Sequence, residues 1–382
     1  MSDSNRVGLA GRLRGCAANL AVLTFGLLLA LGLGELLVRL LVGNPPDLLD
    51  KSDPVLGARF HRNAVAERRI DGRRIPIRIN SLGFHSPEHP FARQPGVRRL
   101  LFLGDSFTGA TEVVLPETFH QRAAGLLSRG GLRCEAVSLG VSGYNTVQEL
   151  LVYRELGRRY QPDAVVLAVF VGNDVSDNHP RLSGANLPFY ALDPGGALRP
   201  LPFRPRWTRN RSWLRDSALY KWQKVVTNEF FSGFLKAQNI LPRYGVYRPP
   251  TEAVWREAWE VTEALLRAVR DAARAEGQPL LLLLLPEQIQ VEQTAWSAML
   301  ERYPKMAAER WDLGYPQRRL ADFARRERIE VLDVQEAFRA APASLYNRQE
   351  PHLNPAGHAL LAELVAKRLN QLGWLAPDAS RR

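Results

Sequence analysis

The chain has 382 residues, of which 46% are hydrophobic and 24% are charged, and it contains two cysteines. These values are typical of a globular protein, and they exclude a mainly disordered chain, a collagen-like chain, a polytopic membrane protein and a disulfide scaffold. A formal net charge of +12 suits contact with an anionic surface, but no motif of a nucleic-acid-binding module accompanies it. We therefore expect no nucleic-acid partner.

An apolar run near the N-terminus predicts one membrane-spanning helix. Residues 16–34 carry no charge, and the apolar character continues to residue 43, interrupted only by Glu35 and Arg39. Because roughly 20 helical residues cross the ~30 Å hydrocarbon core, we assign residues 16–43 to a transmembrane anchor. No small-residue cleavage site follows the run, which favours an uncleaved anchor over a signal peptide. Glu35 and Arg39 are spaced so that they can pair on one face of the helix.

The arginines that flank this run predict its orientation. Arg6, Arg12 and Arg14 precede it, whereas the near flank on the other side holds only Arg39. By the positive-inside rule, residues 1–15 form a cytoplasmic tail. The expected location is therefore the cell inner membrane, with a single pass and a catalytic domain that is periplasmic or extracellular.

The next segment, residues 44–97, is rich in Pro, Arg and Asp and predicts a stalk with one edge strand at residues 74–80. After it, short apolar runs alternate with amphipathic stretches. This alternation predicts a doubly wound parallel sheet of five strands, of the flavodoxin-like type. The predicted strands are residues 98–104, 134–139, 164–171, 280–285 and 329–334, and the predicted helices are residues 117–129, 146–159, 251–276, 316–328 and 355–372.

Residues 175–250 break this rhythm and are rich in aromatic side chains. They predict an insertion after the third strand, and packing and substrate shaping are both open roles for it. The predicted catalytic domain covers residues 98–374, and residues 375–382 form a tail.

Polar residues follow each of the first three predicted strands. Ser106 follows the first, Gly140 and Gly143 follow the second, and Asn173 follows the third. These positions share the carboxyl edge of the sheet, where doubly wound proteins place their sites. A serine there becomes a nucleophile when a base takes its proton, and glycine and asparagine amides can stabilise the resulting oxyanion.

A candidate base lies near the other end of the chain. His352 precedes the last predicted helix, for which Asn354 suits the N-cap and Pro355 the first position. Glu350 can orient the ring of His352 through its second nitrogen. His358, inside the first helical turn, is interpreted as a packing or capping residue.

In this order and at strand ends, these blocks resemble the SGNH (GDSL-type) hydrolase superfamily, in particular its membrane-anchored exported members. The resemblance implies that Ser106 is the nucleophile and that His352 is the general base and then the general acid. It also implies an oxyanion hole made of the Ser106 N–H, the Gly143 N–H and the Asn173 side chain. Gly140 is the alternative to Gly143 as the glycine that donates its N–H to the oxyanion.

The resemblance covers roughly residues 80–372, excluding the insertion, and it departs from the family at one position. The family usually has an aspartate before the histidine, whereas this chain has Glu350. A Ser-His-Glu triad and a working dyad are therefore both open. Asp105 and Asp174 are expected to brace the site loops. No metal and no organic cofactor is implied.

The expected function is that of a membrane-tethered serine esterase. It would hydrolyse acyl esters, acetyl esters among them, of an envelope glycan or a similar substrate. A polysaccharide O-acyltransferase that uses the same residues is one alternative. A catalytically silent glycan-binding protein is another, because a fold alone does not imply a function.

Overall fold

The computed structural model divides the chain into two compact units. One unit contains residues 1–47 and 209–234, and the other contains residues 48–208 and 235–382. The structure describes residues 3–41, 47–129, 133–205, 217–223 and 242–376. Parts of the predicted cytoplasmic tail, anchor, stalk, insertion and C-terminal tail lie outside these ranges.

The first unit contains a helix of 39 residues, Asp3–Leu41. Its stretch Asn19–Leu41 has a mean hydropathy of 2.2 and is only 6% buried. At ~1.5 Å per residue these 23 residues reach about 35 Å, which is enough to cross a bilayer. The helix therefore has the length and composition of a membrane anchor or a signal sequence.

The second unit is built on a five-stranded parallel sheet, as predicted. In chain order the strands are β1 (Val97–Leu103), β2 (Arg133–Ser138), β3 (Ala164–Phe170), β4 (Leu280–Leu285) and β5 (Glu330–Asp333). Within the sheet they lie in the order β5-β4-β3-β1-β2, which is a doubly wound, flavodoxin-like order.

Both faces of the sheet are covered, which explains why the strands are nearly continuous apolar runs. In β1, Leu101 and Leu103 pack into one core, while Leu100 and Phe102 pack into the other. Three long helices contribute to the first core: Thr146–Glu155, Ala253–Ala275 and Tyr315–Glu327. Two contribute to the second: Phe119–Arg129 and Pro355–Leu372.

Shorter elements connect these layers. The short helices are Ser106–Gly109, Asp174–Asp177, Pro180–Ser183, Gln288–Val291, Gln293–Arg302, Pro304–Ala307 and Gln335–Arg339. Short 3-10 helices lie at Leu115–Glu117, Gly157–Tyr160 and Pro242–Tyr247. Within the described part of the predicted insertion, Tyr190–Leu192 pairs with Leu198–Pro200 in a small hairpin.

The segment expected to be a stalk is instead part of the folded body. Val65–Ile70 and Arg73–Arg78 form an antiparallel hairpin, and Leu49–Asp50 pairs with Arg59–Phe60. Ile77, at 0% exposure, joins the core that covers the sheet. The predicted strand at residues 74–80 therefore exists, but it pairs in a hairpin outside the central sheet. Its alternating isoleucines bury one face, which a solvated stalk would not do.

Candidate active site

Ser106 lies at a sharp turn where β1 ends and the short helix Ser106–Gly109 begins. The Asp105 side chain caps this helix by accepting the Phe107 N–H at 2.9 Å. A Cβ on Gly104 would stand 2.2 Å from the Thr108 hydroxyl oxygen, so only glycine fits this close turn. The turn places Ser106 at the carboxyl edge of the sheet, as the sequence predicts.

His352 reaches the same edge from the other end of the chain. Its Nε2 lies 2.9 Å from the Ser106 Oγ, which is hydrogen-bonding distance. The following helix begins at Pro355, and Asn354 caps it by accepting the N–H groups of Ala356 and Gly357. This cap fixes the end of the loop that carries the histidine.

Glu350 lies beside His352 without bonding to it. Its Oε1 is 3.8 Å from the histidine Nδ1, and within the described part of the chain both atoms are buried without a hydrogen-bond partner. The other carboxylate oxygen accepts a 2.6 Å hydrogen bond from Arg68, which also donates to the Thr111 hydroxyl at 3.0 Å. Sequence reasoning missed Arg68, because the segment was interpreted as a stalk.

The hairpin that carries Arg68 also holds the backbone of the histidine loop. Asp71, in its turn, accepts the Arg348 N–H at 2.8 Å and donates its own N–H to the Gln349 side chain at 3.0 Å. Gln349, three positions before His352, is therefore turned towards the hairpin. This leaves Glu350 as the carboxylate found within 4 Å of His352 among the described residues.

The structure distinguishes between Gly140 and Gly143, the two candidate oxyanion-hole glycines that follow β2. A Cβ on Gly140 would stand 2.7 Å from the Gly109 nitrogen and 2.6 Å from the Thr108 Cβ. Gly140 is thus required for close packing against the nucleophile turn. Gly143 is exposed and has a φ of +80°, and apart from its two chain neighbours no atom of the described residues lies within 4 Å of the place that a Cβ on it would take. Its left-handed backbone in open space is the better position for meeting a substrate.

Asn173 follows β3, which pairs directly with β1, so Asn173 and Ser106 end neighbouring strands. The Asn173 Nδ2 donates to Asp177 at 2.8 Å, and this nitrogen carries a second hydrogen for another acceptor. Asp174 is buried and accepts the Phe170 N–H at 2.8 Å. Asp174 therefore braces the strand exit, and Asn173 keeps a donor for a ligand.

Buried carboxyl groups surround this edge of the sheet. Burial raises the pKa of Asp105 to about 7, against the opposing effect of the Phe107 and Ser106 N–H groups. Burial also raises the pKa of Glu149 and of Asp174 well above their ordinary values, and the neighbouring Asp105 adds to both shifts. Burial therefore favours the neutral forms of these acids, which reduces negative charge beside the site. Glu149 carries no sequence signal, since it lies inside an ordinary helix.

A second buried pair lies behind the histidine loop. His358 accepts the Phe119 N–H through Nδ1 at 3.2 Å, so its Nε2 carries the hydrogen that is donated to Glu112 at 3.0 Å. Burial lowers the pKa of His358 to about 3. Burial raises the pKa of Glu112 to about 7, and the charge of His352 opposes that rise. His358 is thus a neutral residue that links two helices, whereas Glu112 was not predicted.

A cleft of about 330 Å³ adjoins the second strand exit. Ser142 and Gly143 line it on one side, Lys51 comes from the segment before the sheet, and residues 184–187 come from the insertion. Asn186 adds an amide to this lining. A part of the insertion therefore contributes to a cleft that begins at the candidate oxyanion glycine.

A Ser–His pair at the carboxyl edge of a doubly wound sheet defines a serine hydrolase. A family model described as the GDSL-like lipase/acylhydrolase family matches residues 102–360. The chain belongs to this family, and it is an SGNH serine hydrolase that acts on ester bonds. This confirms the superfamily, the fold and the enzyme class expected from the sequence.

Several solved structures are similar to this chain. The acetyl xylan esterase AlAXEase is 14% identical, with a TM-score of 0.39, over 71% of this chain and 99% of its own. TesA is 16% identical, with a TM-score of 0.38, over 72% of this chain and 99% of its own. A lipase/acylhydrolase from Enterococcus faecalis is 12% identical, with a TM-score of 0.38, over 72% of this chain and 96% of its own. No curated protein matches the chain.

Proposed function

We propose that the chain is a membrane-anchored serine esterase that removes acyl groups, acetyl groups among them, from an envelope glycan or a similar ester. The observation that carries this proposal is the 2.9 Å contact between the Ser106 Oγ and the His352 Nε2. It supplies a nucleophile whose proton has an acceptor already in place.

The proposed reaction has two half-reactions. The Ser106 Oγ attacks the ester carbonyl carbon while His352 Nε2 takes the hydroxyl proton. His352 then gives this proton to the alcohol oxygen as the ester C–O bond breaks, which leaves an acyl group on Ser106. A water molecule attacks the acyl-enzyme, His352 takes its proton, and that proton returns to the Ser106 Oγ as the acid departs. Glu350, at 3.8 Å, stabilises the imidazolium at each stage.

The proposed oxyanion hole has three donors: the Ser106 N–H, the Gly143 N–H and the Asn173 Nδ2. The open position of Gly143 and the second hydrogen of Asn173 support this assignment over one that uses Gly140. Donors aimed at the developing oxyanion act only as charge appears on it, and each contributes about 10²–10³ in rate in well-studied enzymes. Asp105 and Asp174 are proposed to brace the two loops.

The proposed substrate occupies the cleft beside Gly143. Its lining residues include Ser142, Asn186 and Lys51 beside apolar residues such as Leu49 and Leu187. Polar side chains of these three types suit the hydroxyl-rich alcohol side of a sugar ester. The helix Asp3–Leu41 is proposed to hold the enzyme in the inner membrane, with its catalytic unit in the periplasm or outside the cell. A net charge of +12 supports attraction to an anionic membrane or an acidic glycan.

Hydrolysis of p-nitrophenyl acetate by the detergent-solubilised chain tests the chemistry. We expect Ser106→Ala to lose at least about 10³-fold in kcat/KM, in line with loss of a nucleophile. The matched control is Ser128→Ala, which removes an exposed hydroxyl of the helix Phe119–Arg129, outside the site and the cleft, and it should stay near wild type. Wild-type turnover by Ser106→Ala would refute the assignment.

A fluorophosphonate probe separates the remaining alternatives. It should label Ser106 in the wild-type chain and not in Ser106→Ala, whereas a silent binding protein would not be labelled at all. Adding an acetylated glycan and a free sugar acceptor then distinguishes water from sugar as the acyl acceptor. Free acetate as the product supports the esterase, and an acylated acceptor supports the transferase.

A further inference from the structure

The N-terminal helix carries an acidic side chain inside its apolar stretch, and residues of the insertion satisfy it. The Glu35 carboxylate accepts the Ser217 hydroxyl at 2.6 Å and the N–H groups of Ala218 and Leu219 at 2.9 Å each. Arg39, one turn further along, donates to the same carboxylate at 2.7 Å, as the spacing predicts. Four hydrogen-bond donors therefore bind the Glu35 carboxylate, which would otherwise face lipid.

Apolar contacts accompany these hydrogen bonds. The Leu219 side chain lies 3.3 Å from the position that a Cβ on Gly34 would take, and Ala218 is 1% exposed. Val38 is buried, whereas the leucines on the other faces of the helix are exposed. Gly34, Glu35 and Val38 share one helical face. Residues 217–219 lie against Gly34 and bond to Glu35 on that face, and the leucines on the other faces stay exposed.

The covered face lies near one end of the apolar stretch. Glu35 is six residues from its last residue, Leu41, which is about 9 Å along the helix. That depth corresponds to the boundary between headgroups and acyl chains. Tyr220 and Trp222 continue the same segment and are exposed by 42% and 43%. Aromatic side chains with a polar atom are enriched at this depth in membrane proteins.

We propose that residues 217–223 form a membrane-interface element that is built on the retained N-terminal helix, with Tyr220 and Trp222 inserted among lipid headgroups. The partner is the bilayer itself. The proposal rests on the anchor part of the proposed function and is independent of the Ser106 chemistry. It further requires that the helix stays attached, because a chain cleaved after Leu41 would lack the Glu35 acceptor.

Quenching of tryptophan fluorescence tests the lipid contact. The full chain is reconstituted into phosphatidylethanolamine and phosphatidylglycerol vesicles whose acyl chains are brominated either near the headgroup or near the tail end. The Trp222 signal is the difference between the wild-type chain and Trp222→Phe. We expect the headgroup-proximal bromine to quench this signal at least about twofold more strongly than the deep bromine, as shallow insertion requires. A signal that only aqueous iodide quenches would overturn the proposal.

Proteolysis tests the docking on the helix. Trypsin can cut after Lys221, and docking of residues 217–219 should slow that cut in vesicles. Loss of a capping acceptor weakens such docking about fivefold, so Glu35→Ala should be cut about fivefold faster. The control is Thr24→Ala, because the Thr24 hydroxyl donates to the Leu20 carbonyl of its own helix and, among the described residues, has no hydrogen bond to residues 217–223. Equal cutting of the wild-type chain and Glu35→Ala would contradict the docking.

Two further readouts keep this proposal separate from the proposed function. Intact mass of the membrane-extracted chain should show that residues 1–41 are present, and a shortened chain would overturn the inference. Hydrolysis of p-nitrophenyl acetate is measured on the same vesicles. Loss of Trp222 quenching with normal hydrolysis contradicts the membrane-interface element alone, and normal quenching without hydrolysis contradicts the esterase alone.

Discussion

Replacing Glu350 tests how the catalytic histidine is supported. In the structure this carboxylate bonds to Arg68 at 2.6 Å and stands 3.8 Å from the His352 Nδ1. Glu350→Ala removes the charge, and Glu350→Gln removes the charge but keeps the shape. If the carboxylate acts through its charge, both variants should lose a similar amount of activity.

The separation of 3.8 Å sets the size of the expected loss. Two unit charges at that distance interact by about 1 kcal/mol in bulk water and about 4 kcal/mol at an effective dielectric constant of 20. Glu350 is partly exposed and shares its charge with Arg68, so the lower half of this range applies. We therefore expect kcat/KM to fall by about 10- to 100-fold. A triad aspartate bonded to its histidine contributes about 10⁴-fold instead.

The assay is steady-state hydrolysis of p-nitrophenyl acetate, with Arg68→Ala and the double variant included. Because the hydrogen bond of Arg68 to Glu350 connects it to the carboxylate beside His352, adding Arg68→Ala to Glu350→Ala should cause no further loss. Glu336→Ala, which removes an exposed carboxylate paired with Arg339, is the control and should have no effect. Wild-type activity in Glu350→Ala would show a Ser–His dyad. A loss near 10⁴-fold would show that the carboxylate contacts Nδ1 during the reaction.

Three further predictions concern stability. Burial raises the Glu112 pKa from 4.5 to about 7, so its favourable contribution is complete below pH 4.5 and is lost as pH rises through 7. Between about pH 5 and pH 8 this residue should lower the free energy of unfolding by up to ~3 kcal/mol, and Glu112→Gln should abolish that decrease. Urea unfolding at the two pH values measures it. Gly140→Ala should lower Tm and slow fluorophosphonate labelling of Ser106, because the new Cβ would press on the nucleophile turn. Gly143→Ala should lower the free energy of unfolding by only about 1 kcal/mol, because its backbone is left-handed but its surroundings are open. Ile77→Ala should cost about 2–4 kcal/mol in urea unfolding, and an unchanged midpoint would favour a stalk.

The sequence was sufficient for the sheet and for the Ser–His pair. Buried parallel strands produce continuous apolar runs, and the carboxyl ends of such strands share one edge, so Ser106, Asn173 and the loop of His352 had to meet there. The short alternating segment around Ile77 was ambiguous, because a hairpin and an edge strand have the same period. Its composition suggested a stalk, and only tertiary burial shows otherwise.

The supporting residues were beyond sequence reasoning for a different reason. Arg68 and Glu350 are 282 positions apart, and Glu112 and His358 are 246 apart. Each pair is defined by where distant segments meet. The sequence singles out Glu350 and His358, but their partners Arg68 and Glu112 carry no local signal. The choice between Gly140 and Gly143 likewise depends on how closely a neighbouring backbone approaches.

The distance along the chain between Arg68 and its partner also sets a time during biosynthesis. At about 5–20 residues per second, the ribosome needs roughly 14–56 s to add the 282 residues that separate them. In the later part of that interval, after Phe170 has been added, the first three strands can be complete while Ser106 has no base and Arg68 has no carboxylate. The nascent polypeptide therefore cannot attack esters until its last segments have emerged, and synthesis itself delays the onset of activity.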